Sequence, residues 1–132
     1  MIQLAEGVYV ETEFAGGNCG LIASDRGPVL VDTPMFPSDG QRWQAQIDSL
    51  GPSRAYAIVN TDYHPEHLLG NHLFMPTRVF GHEESEKPLA RYDESTLADL
   101  AGDLASNNPS LANSLASIRP VHPDISVSDR VT

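Results

Sequence analysis

The alternation of apolar and polar residues near the start of the chain predicts three short strands. Residues Gly7 to Thr12 alternate in polarity, as the residues of a half-buried strand do. Two further apolar runs, Gly20 to Ser24 and Pro28 to Val31, lie on either side of a turn at residues 25–27. Strands joined by such short turns pair antiparallel, so we expect these three to form a meander.

The residues after the third strand carry a helical pattern. Three large apolar residues recur at helical spacing and are expected to share one buried face: Trp43, Ile47 and Leu50. Ser38 or Asp39 can cap the start of this helix, and the pair Gly51-Pro52 ends it.

Two more apolar runs predict strands of a parallel pair. Ala55 to Val59 follows the helix, and Thr77 to Phe80 follows a second, short helix that runs from Pro65 to about Phe74. A succession of strand, helix and strand forms a parallel crossover unit. We therefore expect an α/β fold with a mixed sheet and helices on one face, in which Ala55 to Val59 lies beside Thr77 to Phe80 or beside Pro28 to Val31.

The segment from Glu83 to Ile118 differs in character, because it is rich in acids, Ala and Leu and has no strand pattern. Leucines at helical spacing predict two helices, separated at Asn107-Asn108-Pro109. The leucines are Leu97, Leu100 and Leu104 in the first helix and Leu111 and Leu115 in the second. These helices either cover a cleft or form a solvated amphipathic pair.

The most chemically informative segment is Asn60 to Asn71, which reads N-T-D-Y-H-P-E-H-L-L-G-N. It places two imidazoles and two carboxylates within six positions: Asp62, His64, Glu66 and His67. These are ligand types that borderline divalent metals take. A buried strand that ends in such residues delivers them to a cleft, so this turn is the candidate active site.

This segment resembles the metallo-β-lactamase superfamily, which carries Thr-His-x-His-x-Asp-His at the end of a strand. His64 and His67 match two of the ligand positions, whereas Asp62 stands where the first His belongs and Glu66 where the Asp belongs. Upstream, G-N-C-G-L-I and G-P-V-L-V-D-T-P resemble the opening hairpin of the family. The second strand of that hairpin ends in an Asp that supports the metal ligands, and here this residue is Asp32.

The resemblance implies the N-terminal half of an αββα sandwich and metal-assisted hydrolysis of an ester, thioester, lactone or amide-type small molecule. The implied metal ligands are Asp62, His64, Glu66 and His67, with Glu66 and Asp32 as catalytic or supporting carboxylates. Zn²⁺ is the expected metal, with Fe as an alternative, and an anionic ligand in place of His also favours Mn²⁺. The alternative is that the changed motif holds no metal and that the chain acts as a binding or assembly module.

Each candidate residue also has a structural explanation. Asp62 can cap the following helix, and Glu66 can lie in its first turn, where the helix dipole favours an acid. His64 and His67 can merely hydrogen-bond the backbone, and Asp32 can end a strand in a simple turn. The remaining histidines have no motif support: His72, His82 and His122. Of these, His82 ends a strand at the same sheet edge and could line the cleft.

A length of 132 residues corresponds to one domain, whereas family domains are usually much longer. We interpret residues 1–82 as a βα core, 83–118 as a helical insertion and 119–132 as the start of the second half. The chain is therefore expected to be part of a longer protein and inert as a hydrolase by itself. A homodimer is the other possibility, since a half sandwich leaves one sheet face uncovered.

The charge of the chain bears on its partners. Eighteen acids against eight bases give a formal net charge of −10, which repels phosphate backbones and argues against nucleic-acid binding. The sequence has no secretory signal pattern and no apolar window of membrane-spanning length, so we expect no membrane association and a cytoplasmic location. Cys19 is the single cysteine and is expected to be a small buried hydrophobic residue.

Overall fold

Seven strands form one mixed sheet in which spatial order follows chain order. The strands are β1 (Ile2–Ala5), β2 (Val8–Glu11), β3 (Cys19–Ile22), β4 (Val29–Val31), β5 (Ala57–Val59), β6 (Arg78–His82) and β7 (Ile125–Val127). The first four strands pair antiparallel, and β4 to β7 pair parallel. The predicted meander and the mixed sheet are confirmed, and β5 is parallel to both of the neighbours proposed for it. The edge strand β1 was not predicted, because all four of its residues are exposed and carry no burial pattern.

The helices lie between the strands as the sequence predicts. This computed structural model describes residues 1–51, 54–105, 109–115 and 118–129. Its helices are α1 (Pro37–Ser49), α2 (Pro65–Leu68), a 3-10 helix (Leu69–Phe74), a 3-10 turn (Glu83–Ser85), α3 (Glu86–Leu89), α4 (Glu94–Ala105) and α5 (Pro109–Leu115). Pro52 and the pair Asn107-Asn108, predicted to end helices, lie outside the described residues, as do the side chains of Leu104 and Leu111.

Helix α1 packs across one face of the sheet. Trp43 and Ile47 are buried against sheet residues at a core that includes Leu21, Leu30, Ile58 and Val79. Burial of each such large apolar side chain contributes roughly 1.5–3 kcal/mol. Cys19 also lies in this core, as expected, and burial is the main cause that raises the pKa of its thiol to about 12.

Two details of α1 were predicted wrongly. Leu50 is 45% exposed, because the helix ends at Ser49 and Leu50 only caps it. The N-cap residue is Phe36, and neither Ser38 nor Asp39 caps the helix with its side chain. Pro37 is the first helical residue, and its ring presets the φ angle that a helix needs. The carboxylate of Asp39 instead accepts a hydrogen bond from the backbone N–H of Ala15 at 3.1 Å, and thereby ties the β2–β3 loop to the helix.

A second apolar cluster joins the helical region, which consists of α3, α4 and α5, to the junction of α2 with the 3-10 helix. Its buried members are Met35, Phe36, Leu68, Leu69, Leu89, Leu97, Leu115 and Ile118. Leu68 and Leu69 come directly after the motif, so the helical region packs beside the candidate site. No helix of the described part of the chain has the length and apolar character needed to span a membrane.

Strand β7 belongs to the same sheet as the rest. Its register places Ile125 beside Phe80, and Asp124 accepts the backbone N–H of Val79 at 3.1 Å while its own N–H donates to the Val79 carbonyl at 2.9 Å. The division into residues 1–82, 83–118 and 119–132 stays a prediction.

Glu11 is a buried acid that ties the chain start to α1. Its side chain accepts hydrogen bonds from the Met1 ammonium and from Gln46 Nε2, each at 2.6 Å, and from the backbone N–H groups of Thr12 and Glu13 at 2.9 and 3.0 Å. The ammonium contact is the main cause that lowers the pKa of Glu11 to about 2, against the opposing effect of burial.

Acid should therefore weaken the fold through Glu11. Because the folded pKa lies below the ordinary value, the stabilisation is complete above about pH 4.5 and is lost as the pH falls towards about 2. We expect Glu11→Gln to lower the free energy of unfolding by about 2–3 kcal/mol at pH 7, and by less at pH 3. Urea denaturation at both pH values measures this. Glu13→Gln, the same change at an exposed position, is the control, and equal effects of the two variants would contradict the prediction.

Candidate functional site

Asp32 stands at the end of β4 in an unusual backbone conformation. Its φ is +61°, in the left-handed region that costs a non-glycine residue roughly 1–2 kcal/mol. The backbone N–H of Asp32 donates to the Val59 carbonyl at 2.9 Å, at the end of β5. Its buried carboxylate accepts the backbone N–H of Thr61 at 2.8 Å and the Thr61 hydroxyl at 2.6 Å. These bonds offset the backbone strain and fasten the two strand ends together.

The same carboxylate orients the ring of His67. Asp32 Oδ2 lies 3.0 Å from His67 Nδ1. An ionised carboxylate can only accept, so Nδ1 donates and the Nε2 lone pair is left for another partner. The His67 side chain is 24% exposed, and no hydrogen bond to Nε2 is found within the described residues. A histidine held through one ring nitrogen by a carboxylate is the usual arrangement of a metal ligand.

His64 and Asp62 form a separate, more exposed pair. Asp62 Oδ1 accepts the His64 backbone N–H at 2.8 Å, and Asp62 Oδ2 lies 2.9 Å from His64 Nδ1. The hydrogen bond that His64 donates to Asp62, and then the negative charge of Asp62, raise the pKa of His64. Burial raises the pKa of Asp62, but the two hydrogen bonds from His64 and the charges of His67 and His64 together outweigh burial and lower it. The N-cap of α2 is His64 rather than Asp62, so the structural role of Asp62 is to fix the turn before the helix.

Glu66 lies in the first turn of α2, against the β2–β3 loop. A Cβ at Gly16 would lie 2.9 Å from Glu66 Cβ, and one at Gly17 would lie 3.3 Å from the Glu66 carbonyl oxygen and 3.4 Å from His67 Cε1. The loop is held there by Phe14, whose ring meets that of Trp43 edge to face at 5.8 Å. Glycines at 16 and 17 thus allow the loop to cover the motif closely.

The four motif side chains do not converge on one point. Within the described residues, no group of three or more His, Cys, Asp or Glu side chains is placed to hold a metal ion. The structure brings His67 to Asp32 and His64 to Asp62, and it leaves Glu66 against the loop. As ligands, Asp62, His64, Glu66 and His67 stay predictions.

The other histidines make local contacts. His72 Nδ1 lies 2.7 Å from the Leu69 carbonyl oxygen, and His82 Nε2 lies 3.3 Å from the Ser128 carbonyl oxygen. His82 also borders a surface pocket with Val59 and Phe80, at the carboxyl ends of the parallel strands. His122 is exposed in the loop before β7.

Four polar residues that support the site were given no role in the sequence analysis, although Thr61 and Asn71 lie in the segment that resembles the family motif. They are Thr33, Asn60, Thr61 and Asn71. Their sequence signal is weak, since small polar residues after strands usually mean turns. Only position could have indicated their role: Thr33 lies just after β4, Asn60 and Thr61 lie just after β5, and Asn71 lies shortly after His67.

The mixed sheet and its helices define an α/β protein, and the histidine and carboxylate turn at the carboxyl ends of the parallel strands is its candidate site. Residues 12–126 match the sequence profile of the metallo-beta-lactamase superfamily, which is most of the chain. The chain belongs to the metallo-β-lactamase superfamily. By sequence alone, no characterised protein matches it significantly.

Solved structures share the fold at low identity. A double mutant of the Pseudomonas sec-alkylsulfatase superposes with a TM-score of 0.70 at 16% identity, over 96% of this chain and 24% of that one. A metallo-β-lactamase from Cronobacter sakazakii gives 0.66 at 19% identity, over 97% and 46%. One from Pontibacter korlensis gives 0.57 at 15% identity, over 98% and 53%. The chain thus spans about half or less of the length of these structures.

The close contact of the loop with the motif can be tested at Gly16. Its φ of +102° and the 2.9 Å approach to Glu66 both oppose a Cβ, so Gly16→Ala should lower the free energy of unfolding by about 1–2 kcal/mol. The control is Gly102→Ala in α4, where nothing lies within 4 Å of an added Cβ. There the same change should stabilise by about 0.5–1 kcal/mol. Urea denaturation compares the two variants, and a neutral Gly16→Ala would mean that the loop does not pack on the motif.

Proposed function

We propose that this chain carries the first half of a metal-dependent hydrolase site. The observation that supports the proposal most strongly is the Asp32–His67 pair, because a buried carboxylate holds the imidazole by Nδ1 at 3.0 Å and leaves Nε2 for a metal. His67 is therefore the proposed primary ligand. The proposal extends superfamily membership, which alone does not select a reaction.

The other motif residues fit a metal less readily. Both carboxylate oxygens of Asp62 accept hydrogen bonds from His64, at 2.8 and 2.9 Å, so only their remaining lone pairs would be left for a metal. A catalytic zinc site takes about three protein ligands and keeps one open position. Because no three of the His, Asp and Glu side chains among the described residues are placed around one point, we infer that the site needs at least one further ligand. It would come from the remainder of a longer protein or from a second copy of the chain.

The chemistry proposed for the complete site is hydrolysis of an ester, thioester, lactone or amide-type small molecule, for which Zn²⁺ supplies an acidic water and polarises the reacting carbonyl. Asp32 would keep the His67 ring in its binding orientation. Glu66, beside His67 and under the loop, would act as a ligand or as a proton acceptor. Asp62 in place of a neutral ligand would reduce the Lewis acidity of the metal and favour Mn²⁺ more than a histidine does.

Neighbouring structures support the idea that the motif tolerates change. One is described as a metallo-β-lactamase with an active-site glutamic acid, and it shares 22% identity and a TM-score of 0.56. The Cronobacter sakazakii protein is described by a HARLDQ motif. By analogy with these proteins, an acid at position 62 or 66 is compatible with a hydrolase. Because the neighbours include lactamases and an alkylsulfatase, the analogy does not choose a substrate.

A non-catalytic binding or assembly module is the second candidate. The observation that favours it concerns Asp62, which stands in place of the first His of the family: both of its carboxylate oxygens already accept hydrogen bonds from His64. The two candidates differ in whether the protein binds Zn²⁺ through His67.

Calorimetric titration of Zn²⁺ and Mn²⁺ at pH 7 separates them. We expect His67→Ala to weaken Zn²⁺ binding about ten-fold or more, whereas His72→Ala, in which a nearby histidine outside the motif is removed, should leave the affinity unchanged. Asp62→His should raise the preference for Zn²⁺ over Mn²⁺, since imidazole is the softer ligand. If the unaltered protein binds neither metal, or if His67→Ala binds Zn²⁺ normally, the hydrolase proposal fails and the binding module remains.

A further inference from the structure

A buried polar network lies directly beneath the motif. Thr33 and Asn71 are fully buried, and Asn60 is only 9% exposed. The Thr33 hydroxyl donates to Asn71 Oδ1 at 2.8 Å, and Asn71 Nδ2 donates to Asn60 Oδ1 at 2.8 Å. Asn60 Nδ2 donates back to Asn71 Oδ1 at 3.3 Å. Three buried polar side chains at one place are costly unless each is bonded, and here each one is.

The network ends on the backbone carbonyl of His67. Asn60 Nδ2 donates to that oxygen at 2.9 Å, and the backbone N–H of Thr33 donates to it at 3.0 Å. Thr33 Oγ1 lies 3.5 Å from the same oxygen, but its single proton is used on Asn71 at the shorter distance of 2.8 Å. Two donors from different strand ends therefore fix the peptide of His67, while Asp32 fixes its ring.

No hydrogen bond joins the Asn71 side chain to His67 among the described residues, yet Asn71 orients both other side chains of the network. Its Oδ1 accepts from Thr33 and from Asn60, and its Nδ2 sets the amide of Asn60 so that the other Asn60 proton points at His67. A glycine precedes it because a Cβ at Gly70 would lie 2.0 Å from the Pro34 carbonyl oxygen. Gly70 thus lets the 3-10 helix approach Thr33 closely enough for Asn71 to bond it.

We propose that Asn71 is a positioning residue for His67, acting through Asn60 and Thr33. The proposal rests on the function proposed above, in which His67 binds a metal through Nε2. Asn71 bonds to the side chains of Thr33 and Asn60, and the His67 carbonyl is held by the backbone N–H of Thr33 and the side-chain amide of Asn60. An apolar residue at position 71 would leave the amide of Asn60 free to rotate, and the His67 peptide would lose a donor.

The test measures the orientation of the His67 ring as well as metal binding. His67 Cε1 lies 3.4 Å from the point where a Cβ would stand on Gly17, so the ring Hε1 and a Gly17 Hα should give a strong nuclear Overhauser effect. In Asn71→Ala we expect this effect to be lost and Zn²⁺ affinity to fall about ten-fold or more. The matched control is Leu21→Val, a core truncation away from the site, which should reduce stability and leave both signals intact.

A second pair of variants covers the case in which Asn71→Ala does not fold. Thr33→Val removes the hydroxyl donor with little change of shape and should weaken the nuclear Overhauser effect. Thr33→Ser keeps the donor and should retain the effect. Retention of the full effect in Asn71→Ala, or in Thr33→Val if only that variant folds, overturns the proposal. Loss of the effect in a protein that binds no Zn²⁺ supports the positioning role and refutes the metal function. If instead Zn²⁺ binds through His67 and Asn71→Ala keeps the nuclear Overhauser effect, the metal function is supported and the positioning role is refuted.

Discussion

The carboxylate of Asp32 is the contact on which the candidate site depends. It is buried at the end of β4 and binds three groups from the motif turn: the Thr61 N–H, the Thr61 hydroxyl and His67 Nδ1. The backbone of Asp32 takes a left-handed conformation to make these bonds, a strain that persists only where surrounding contacts compensate for it. The parallel pairing of β4 with β5 is what brings residue 32 beside residues 60 and 61. Without that pairing, the motif would be an unsupported loop.

The rest of the fold converges on the same turn from three sides. Beneath it, the amide network holds the His67 carbonyl. Above it, the glycines of the β2–β3 loop rest on Glu66 and His67, because Phe14 and Asp39 hold that loop to α1. Beside it, Leu68 and Leu69 anchor the following helix among residues of the helical region. His67 is therefore held much more firmly than His64, which lies exposed, bonds to Asp62 and stacks on Tyr63, both close to it in the sequence.

Local patterns predicted the parts of the structure that local physics determines. The apolar runs of β4 to β6 and the face of α1 at Trp43 and Ile47 follow from burial along one element. The motif was recognisable because ligand residue types cluster after a strand, and Asp32 because it stands where the resemblance to the family places a supporting Asp. The network of Thr33, Asn60 and Asn71 was not predictable, because its members lie 38 and 11 positions apart and meet only once the parallel strands are paired. Asp62 was assigned as a possible helix cap, although a bond to the N–H two residues on creates a turn instead.

The central claim is that Asp32 accepts the Nδ1 proton of His67, and the imidazole N–H region of the proton spectrum tests this most directly. A proton shared with a partly buried carboxylate exchanges slowly with water, so one resonance of His67 should be visible well downfield at neutral pH. It should vanish in Asp32→Gly, which tolerates the left-handed backbone, and persist in Asp62→Ala. If the resonance is absent from the unaltered protein, or survives in Asp32→Gly, then Asp32 does not hold His67, and the site has no support of the kind described.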